Sequence, residues 1–226
     1  MRISKYLSDI GIASRRGAEQ MILDGRITLN GEIVKTPVTF VSKDDKVLLD
    51  GKRITNHESR ATIYLFHKPT GCITSAHDPE GRRTIYDILP KEYQNLKYIG
   101  RLDYNTSGLL LMTNDGTLAH EMTMPGAGVE RVYMAKVGGA MTMDDDMMNR
   151  ILKPVRKGIK IKGIIYRPMK VERLSGSDLK ITITEGKKNE IRIVFEHIGL
   201  PIRKLHRVSY GKYELGPLAA GKIRPA

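Results

Sequence analysis

A polar stretch with no hydrophobic period, Thr55-Asn56-His57-Glu58-Ser59-Arg60, separates two differently patterned segments of this chain. Before it, Ile3, Tyr6, Leu7 and Ile10 recur at helical spacing and Gly11 ends the turn. Ser14 is placed to cap a second helix carrying Ala18, Met21 and Ile22 on one face, with Gly25 at its end. Asn30-Gly31 sits between the alternating Arg26-Ile27-Thr28-Leu29 and Glu32-Ile33-Val34, and Asp50-Gly51 between Val47-Leu48-Leu49 and Lys52-Arg53-Ile54, the pattern of tight hairpins. The spacing predicts a small domain at residues 1–54, a linker at 55–61 and a larger domain at 62–226.

The larger segment reads as strands at 62–66, 109–113, 131–137, 164–174 and 179–184, with helices at 117–124, 143–152 and 188–197. The order is uneven and no residue period recurs, so a solenoid or a regular doubly wound sheet is disfavoured and an α+β fold expected. No apolar run approaches the roughly 20 residues of a membrane helix. No signal core follows Met1, and one cysteine, Cys72, cannot form an internal disulfide. A cytoplasmic protein is expected.

Charge points to a polyanionic partner. The chain holds 38 Lys and Arg against 25 Asp and Glu, a net +13. Residues 150–226 carry 19 basic and 6 acidic side chains, whereas residues 61–149 carry 8 and 11. The excess therefore lies in the last third.

Several chemistries fail at the level of spacing. His120-Glu121-Met122-Thr123-Met124 begins like a zinc-protease helix, but Met124 stands where the second histidine is needed. Asp144-Asp145-Asp146 lacks calcium-loop spacing and reads as the acidic first turn of a helix. Cys72 has no identifiable base, and Glu185-Gly186-Lys187-Lys188 lacks the remainder of a phosphate loop. No metal site is expected.

The run from Ile99 to Gly116 is different: Gly100-Arg101-Leu102-Asp103, a polar Asn105-Thr106-Ser107-Gly108 turn, then a buried strand ending in Asn114-Asp115-Gly116. A polar cluster propped on a hydrophobic strand is a common way to build a site. The residues alone also allow an exposed loop in which Asp103 caps a turn or pairs with Arg101.

This run resembles the signature of the pseudouridine synthases that modify ribosomal RNA, in the branch with a Gly-Arg-Leu-Asp motif. The resemblance extends to Phe66-His67-Lys68-Pro69-Thr70-Gly71, Glu130-Arg131-Val132-Tyr133, Thr184 to Arg192, and Leu205 to Gly211. Residues 1–50, with Ser14-Arg15-Arg16, Gly25-Arg26 and Asn30-Gly31, resemble the S4-like (alpha-L) RNA-binding module of that branch. It implies a small S4-like domain followed by a catalytic domain with a mixed, mainly antiparallel sheet flanked by helices.

The same resemblance implies a function. A uridine of ribosomal RNA, with the large-subunit RNA favoured over the small, would be isomerised by the carboxylate of Asp103 on a flipped-out base. Tyr133 would stack on the uracil and Arg192 would pair with Asp103, with Ile191 lining the pocket. Arg101 would enter the space the base leaves. Lys5, Arg15, Arg16 and Arg26 of the module, with Lys68, Lys187, Lys188, Arg203, Lys204 and Arg207 of the catalytic domain, would contact RNA. No cofactor is implied, because the product is an isomer of the substrate, and a monomer is expected. Ile193 replaces a frequent second arginine, His67 a common asparagine, and Met122-Thr123-Met124-Pro125 the usual Leu-x-His-Pro. Two other readings are an RNA-binding or ribosome-assembly protein without activity, against which Asp103, Tyr133 and Arg192 argue, and a glycosidase, for which a second carboxylate is missing.

Overall fold

The Ser14 hydroxyl accepts the amide of Gly17 at 3.1 Å and so starts a helix where the cap was expected. The computed structural model describes the chain except Lys43, residues 55–60, Pro125 and Ala127. The expected linker, apart from Ala61, thus lies outside the described residues, as does Pro125 of the Met-Thr-Met-Pro run. Two units are distinguished: Met1–Thr62 with Asn114–Gly116, and Ile63–Thr113 with Thr117–Ala226.

In the first unit, α1 (Ile3–Asp9) and α2 (Arg15–Leu23) precede β1 (Ile27–Leu29), β2 (Glu32–Ile33), β3 (Val47–Leu49) and β4 (Lys52–Arg53). Asn30 and Gly31 take φ of 53° and 93°, and Asp50 and Gly51 take 49° and 76°, as the two tight turns require. The hairpins are not separate. β1 also pairs with β3, giving one antiparallel sheet in the order β2-β1-β3-β4. Ile3, Leu7, Ala18, Ile22, Ile27 and Val47 form its own core.

The second unit contains β5 (Ile63–Lys68), β6 (Lys97–Ile99), β7 (Thr106–Thr113), α3 (Gly116–Glu121, begun in the other unit), β8 (Arg131–Val137), α4 (Asp145–Lys157), β9 (Ile159–Ile161) and β10 (Ile164–Tyr166). It continues with β11 (Lys170–Ser175), β12 (Asp178–Ile183), α5 (Glu190–His197), β13 (Ile202–Tyr210), β14 (Tyr213–Glu214) and β15 (Ile223–Pro225). A 9-stranded sheet runs β11-β12-β8-β13-β7-β5-β15, with β14 beside β13 and β6 beside β7. Its pairings are antiparallel except β7 with β13, where Thr106–Gly108 lies alongside Leu205–Arg207. The mixed, mainly antiparallel sheet is the expected one.

The run Leu109-Leu110-Leu111-Met112 is continuous because both faces of β7 are covered. Leu110 and Met112 join the core that includes α4 and α5, while Leu109 and Leu111 pack with Ile99, Tyr210 and Leu215. At Gly108, with φ of 109°, an added Cβ would stand 2.2 Å from the Arg207 carbonyl oxygen, so only glycine permits this approach of β7 to β13.

The structure alters several expected boundaries. β7 begins at Thr106, so three of the four residues of the expected polar turn are strand. The run 164–174 divides into β10 and β11 around Pro168, which has no N–H for a ladder. α4 continues past Pro154 to Lys157, its start fixed by Asp144 accepting from the Met147 amide at 2.7 Å. β13, the longest strand, is absent from the expected set; its Arg203, Lys204 and Arg207 obscure the alternation.

Candidate active site

The loop from β6 to β7 is held by its backbone. Thr74 donates its hydroxyl to the Leu102 carbonyl at 2.8 Å and accepts the Leu102 amide at 3.2 Å. Lys68, at the end of β5 and fully buried, donates to the carbonyls of Pro69, Asp103 and Thr106 at 3.0, 3.1 and 3.0 Å. These match the three donors of an ammonium. Burial pushes Lys68 below its usual range, partly opposed by Cys72 and Asp103. The Thr106 amide also donates to the Asp103 carbonyl, at 3.0 Å.

So fixed, Asp103 turns its side chain to a cavity of about 560 Å³. Across it stands Asn189, in the left-handed region at φ 53° just before α5; with its side-chain amide assigned the orientation that turns Nδ2 to the carboxylate, it donates to both Asp103 carboxylate oxygens at 3.0 Å each. Opposite-strand partners Tyr133 of β8 and Arg207 of β13 supply another wall. Arg207 is 1% exposed. Its Nε donates to the Leu109 carbonyl at 2.7 Å and its Nη1 to the Tyr133 hydroxyl at 3.5 Å, while its guanidinium lies 5.2 Å from the Tyr210 ring centre.

Three buried side-chain atoms lack a hydrogen-bond partner among the described residues: Thr106 Oγ1, Glu190 Oε1 and Arg207 Nη2. All three residues line this cavity. Buried polar atoms are normally satisfied, so their convergence marks a place for a polar guest. Glu190 Oε1 could instead be satisfied within the wall, by the Glu185 carboxylate, once Glu190 is protonated. Burial, then the neighbouring Glu185 carboxylate, pushes its carboxyl up to about 7. When protonated, Glu190 can donate to Glu185.

Residues 62–197 match the RNA pseudouridylate synthase family, and residues 1–47 match the S4 domain. The chain belongs to the RNA pseudouridylate synthase family. An uncharacterised RNA pseudouridine synthase of Rickettsia prowazekii is 36% identical over 99% of this chain and 93% of its own length. Ribosomal large subunit pseudouridine synthase B of Bacillus subtilis is 34% identical over 99% of this chain and 91% of that protein. A crystal structure of a pseudouridylate synthase, 28% identical, superposes with a TM-score of 0.69 over 100% of this chain and 96% of that one.

Within this synthase, Asp103, Tyr133, Ile191, Arg192 and Arg101 all line the cavity, together with Lys187 and Lys188. Three expectations need correction. Arg192 does not pair with Asp103: it donates to the carbonyls of Ile202 and Asn105 at 3.1 and 2.9 Å, and the carboxylate is held by Asn189 instead. Lys68 cannot meet RNA, because its ammonium is enclosed by three carbonyls. Arg207 is a wall of the pocket and not part of a surface band.

The remaining expected contacts lie at the surface. Arg15, Arg16, Arg203 and Lys204 are exposed. Lys5 pairs with Asp9 at 3.7 Å, and Arg26 makes a two-pronged pair with Asp50 at 3.0 and 2.6 Å. Lys187 pairs with Glu185 and lies 5.7 Å from the Tyr166 ring centre. His67 sets Nδ1 2.7 Å from the Leu218 carbonyl oxygen, a structural use of the position where asparagine is common. Cys72 is buried, its thiol pushed up by that burial, and is no nucleophile. No three His, Cys, Asp or Glu side chains cluster as metal ligands, and no helix is long and apolar enough to cross a membrane, among the described residues. Asn189, Thr106 and Glu190 are absent from the expected site; only an asparagine ahead of a helical period hints at the first.

Proposed function

We propose that this synthase converts a uridine of large-subunit ribosomal RNA to pseudouridine with Asp103 as its nucleophile. The observation that carries this reading is the Asp103 carboxylate, fixed through its backbone by Lys68 and through its oxygens by Asn189, facing a cavity walled by Tyr133 and Arg207. The Bacillus subtilis relative's name supplies the RNA class.

The chemistry follows from that arrangement. A carboxylate oxygen attacks C1′ of the ribose as the C1′–N1 bond breaks, leaving its electron pair on the uracil. The base turns against the Tyr133 ring, C5 bonds to C1′, and the carboxylate leaves. The C5 proton is lost, with the Tyr133 hydroxyl placed to accept it, and N1 gains a proton, so the product is an isomer. Negative charge on the detached base meets Arg207 Nη2, a buried donor without a protein partner. A flipped-out base would give the cavity its guest, and Arg101, which lines the cavity, would fill the vacated stack.

Residues 1–54 would serve as the RNA-binding module and 62–226 as the catalytic domain, acting as a monomer in the cytoplasm without a cofactor. Asp103→Ala should abolish pseudouridine formation while RNA affinity stays within about tenfold. Pseudouridine made by that variant would overturn the mechanism. Binding by the wild-type protein without any product would instead favour the assembly-protein reading.

A further inference from the structure

The hairpin of β9 and β10 takes no part in the 9-stranded sheet. From Lys157 to Lys170 inclusive the chain has five basic residues and no acidic one. Lys162 and Gly163, at φ of 47° and 84°, form its tight turn. The register pairs Ile161 with Ile164, Lys160 with Ile165, and Ile159 with Tyr166. Directly opposed residues share a face and alternate along each strand. One face therefore carries Ile159, Ile161, Ile164 and Tyr166, of which Ile161 and Tyr166 are buried and Ile164, next to the turn, is exposed. The other carries Lys160, Ile165 and then Arg167 just beyond the strand.

That second face is open: Lys160 and Arg167 are exposed, and Ile165 is 66% exposed. A β-branched apolar residue left in water between two cations has no role in the core. The face is also fixed relative to the active site. Arg167 lines the cavity and its amide donates to Glu185 at 2.7 Å, while Lys187 covers the Tyr166 ring. β9 packs beside α5, whose first residues form the cavity wall.

We infer that this face is the track for RNA adjoining the target uridine. This rests on the functional reading above and extends it beyond the pocket. Lys160, Lys162 and Arg167 neutralise successive phosphates leading away from the cavity, and Ile165 packs on a sugar or base between them. The partner is RNA and not protein because the patch is dominated by cations: among the described residues Lys160 and Lys162 face no carboxylate and only Arg167 lies near one, Glu185 at 4.0 Å, which makes the patch the complement of a phosphate chain.

The test uses full-length protein and a transcript of the source organism's large-subunit ribosomal RNA. Lys160→Glu with Lys162→Glu should weaken binding by about tenfold or more and lower the slope of log affinity against log salt by about 1.5–2. The single-turnover rate at saturating protein should stay within about threefold. Unchanged affinity and slope would overturn the proposal. Ile165 replaced by a photo-crosslinking amino acid provides a second measurement that leaves the charges intact. A cross-link to RNA within the nucleotides flanking the modified uridine supports the track; a cross-link to a ribosomal protein or to a second copy of the chain overturns it. Failure of the functional reading looks different, since the wild-type protein would then bind the transcript and form no pseudouridine.

Discussion

Lys68 shows how a residue's surroundings override its type. A lysine beside Pro-Thr-Gly reads as exposed, and in a protein proposed to bind RNA it reads as a phosphate contact, yet it is enclosed by three carbonyls. Its replacement therefore separates two roles. Lys68→Met takes the ammonium away from three buried carbonyls, of which that of Asp103 keeps the Thr106 amide, a cost of about 2–4 kcal/mol. The expected outcome in melting and kinetic measurements is a lowered Tm and a kcat reduced about a hundredfold as the Asp103 backbone loosens, with RNA affinity within about threefold. Reduced affinity with normal kcat would return Lys68 to the surface role. At this scale the sequence located the neighbourhood and not the contacts. Asp103, Tyr133 and Arg101 are legible from their motifs and do meet at one cavity. Whether Asp103 is held by Arg192 or by Asn189 depends on the left-handed turn at Asn189, which no motif displays.

Among the elements, α5 couples the site to pH. Glu190 sits in its first turn, 3% exposed, facing Glu185, the Lys187 amide and, through Glu185, the Lys187 ammonium and the Arg167 amide. Burial alone would raise Glu185 too, but hydrogen bonds from Glu190, Lys187 and the Arg167 amide hold it below the usual range. Glu190, by contrast, rises from 4.5 to about 7. Between those values the folded state keeps a proton that the unfolded chain has released. Stability conferred by this group therefore declines as pH rises through that window, and the decline is complete above about 7. Glu185 acts in the opposite sense at lower pH. Glu190→Gln keeps a donor toward Glu185 and removes the titration, so thermal melts from about pH 5 to 8 should be flatter than wild type. An unchanged profile would show that the carboxyl does not stay protonated. Helix starts are legible because caps are local, as at Ser14 and Asp144. β13 is not, because its partners lie far away in sequence and supply the reason its cations are tolerated.

For the whole molecule, net charge named the class of partner but not where on the chain that partner is met. Of the cations expected to hold RNA, Lys68 and Arg207 are interior, and Arg26 is matched by Asp50. Arg15 and Arg16 remain exposed in the first turn of α2, where the helix dipole disfavours cations and favours a bound phosphate. Deleting residues 1–54 should weaken RNA binding and lower its salt slope by about 0.7–0.9 for each phosphate that the module neutralises. Filter binding at several salt concentrations measures both, and equal values in the full and shortened chains would deny the module any part in holding RNA. The parallel pairing of β7 with β13 has a consequence of another kind. It joins Thr106–Gly108 to Leu205–Arg207, so one wall of the cavity comes from residues made roughly a hundred positions after the loop that presents Asp103. During translation Asp103 emerges long before Arg207 does, and the wall that Arg207 supplies is missing until residues 205–207 have left the ribosome.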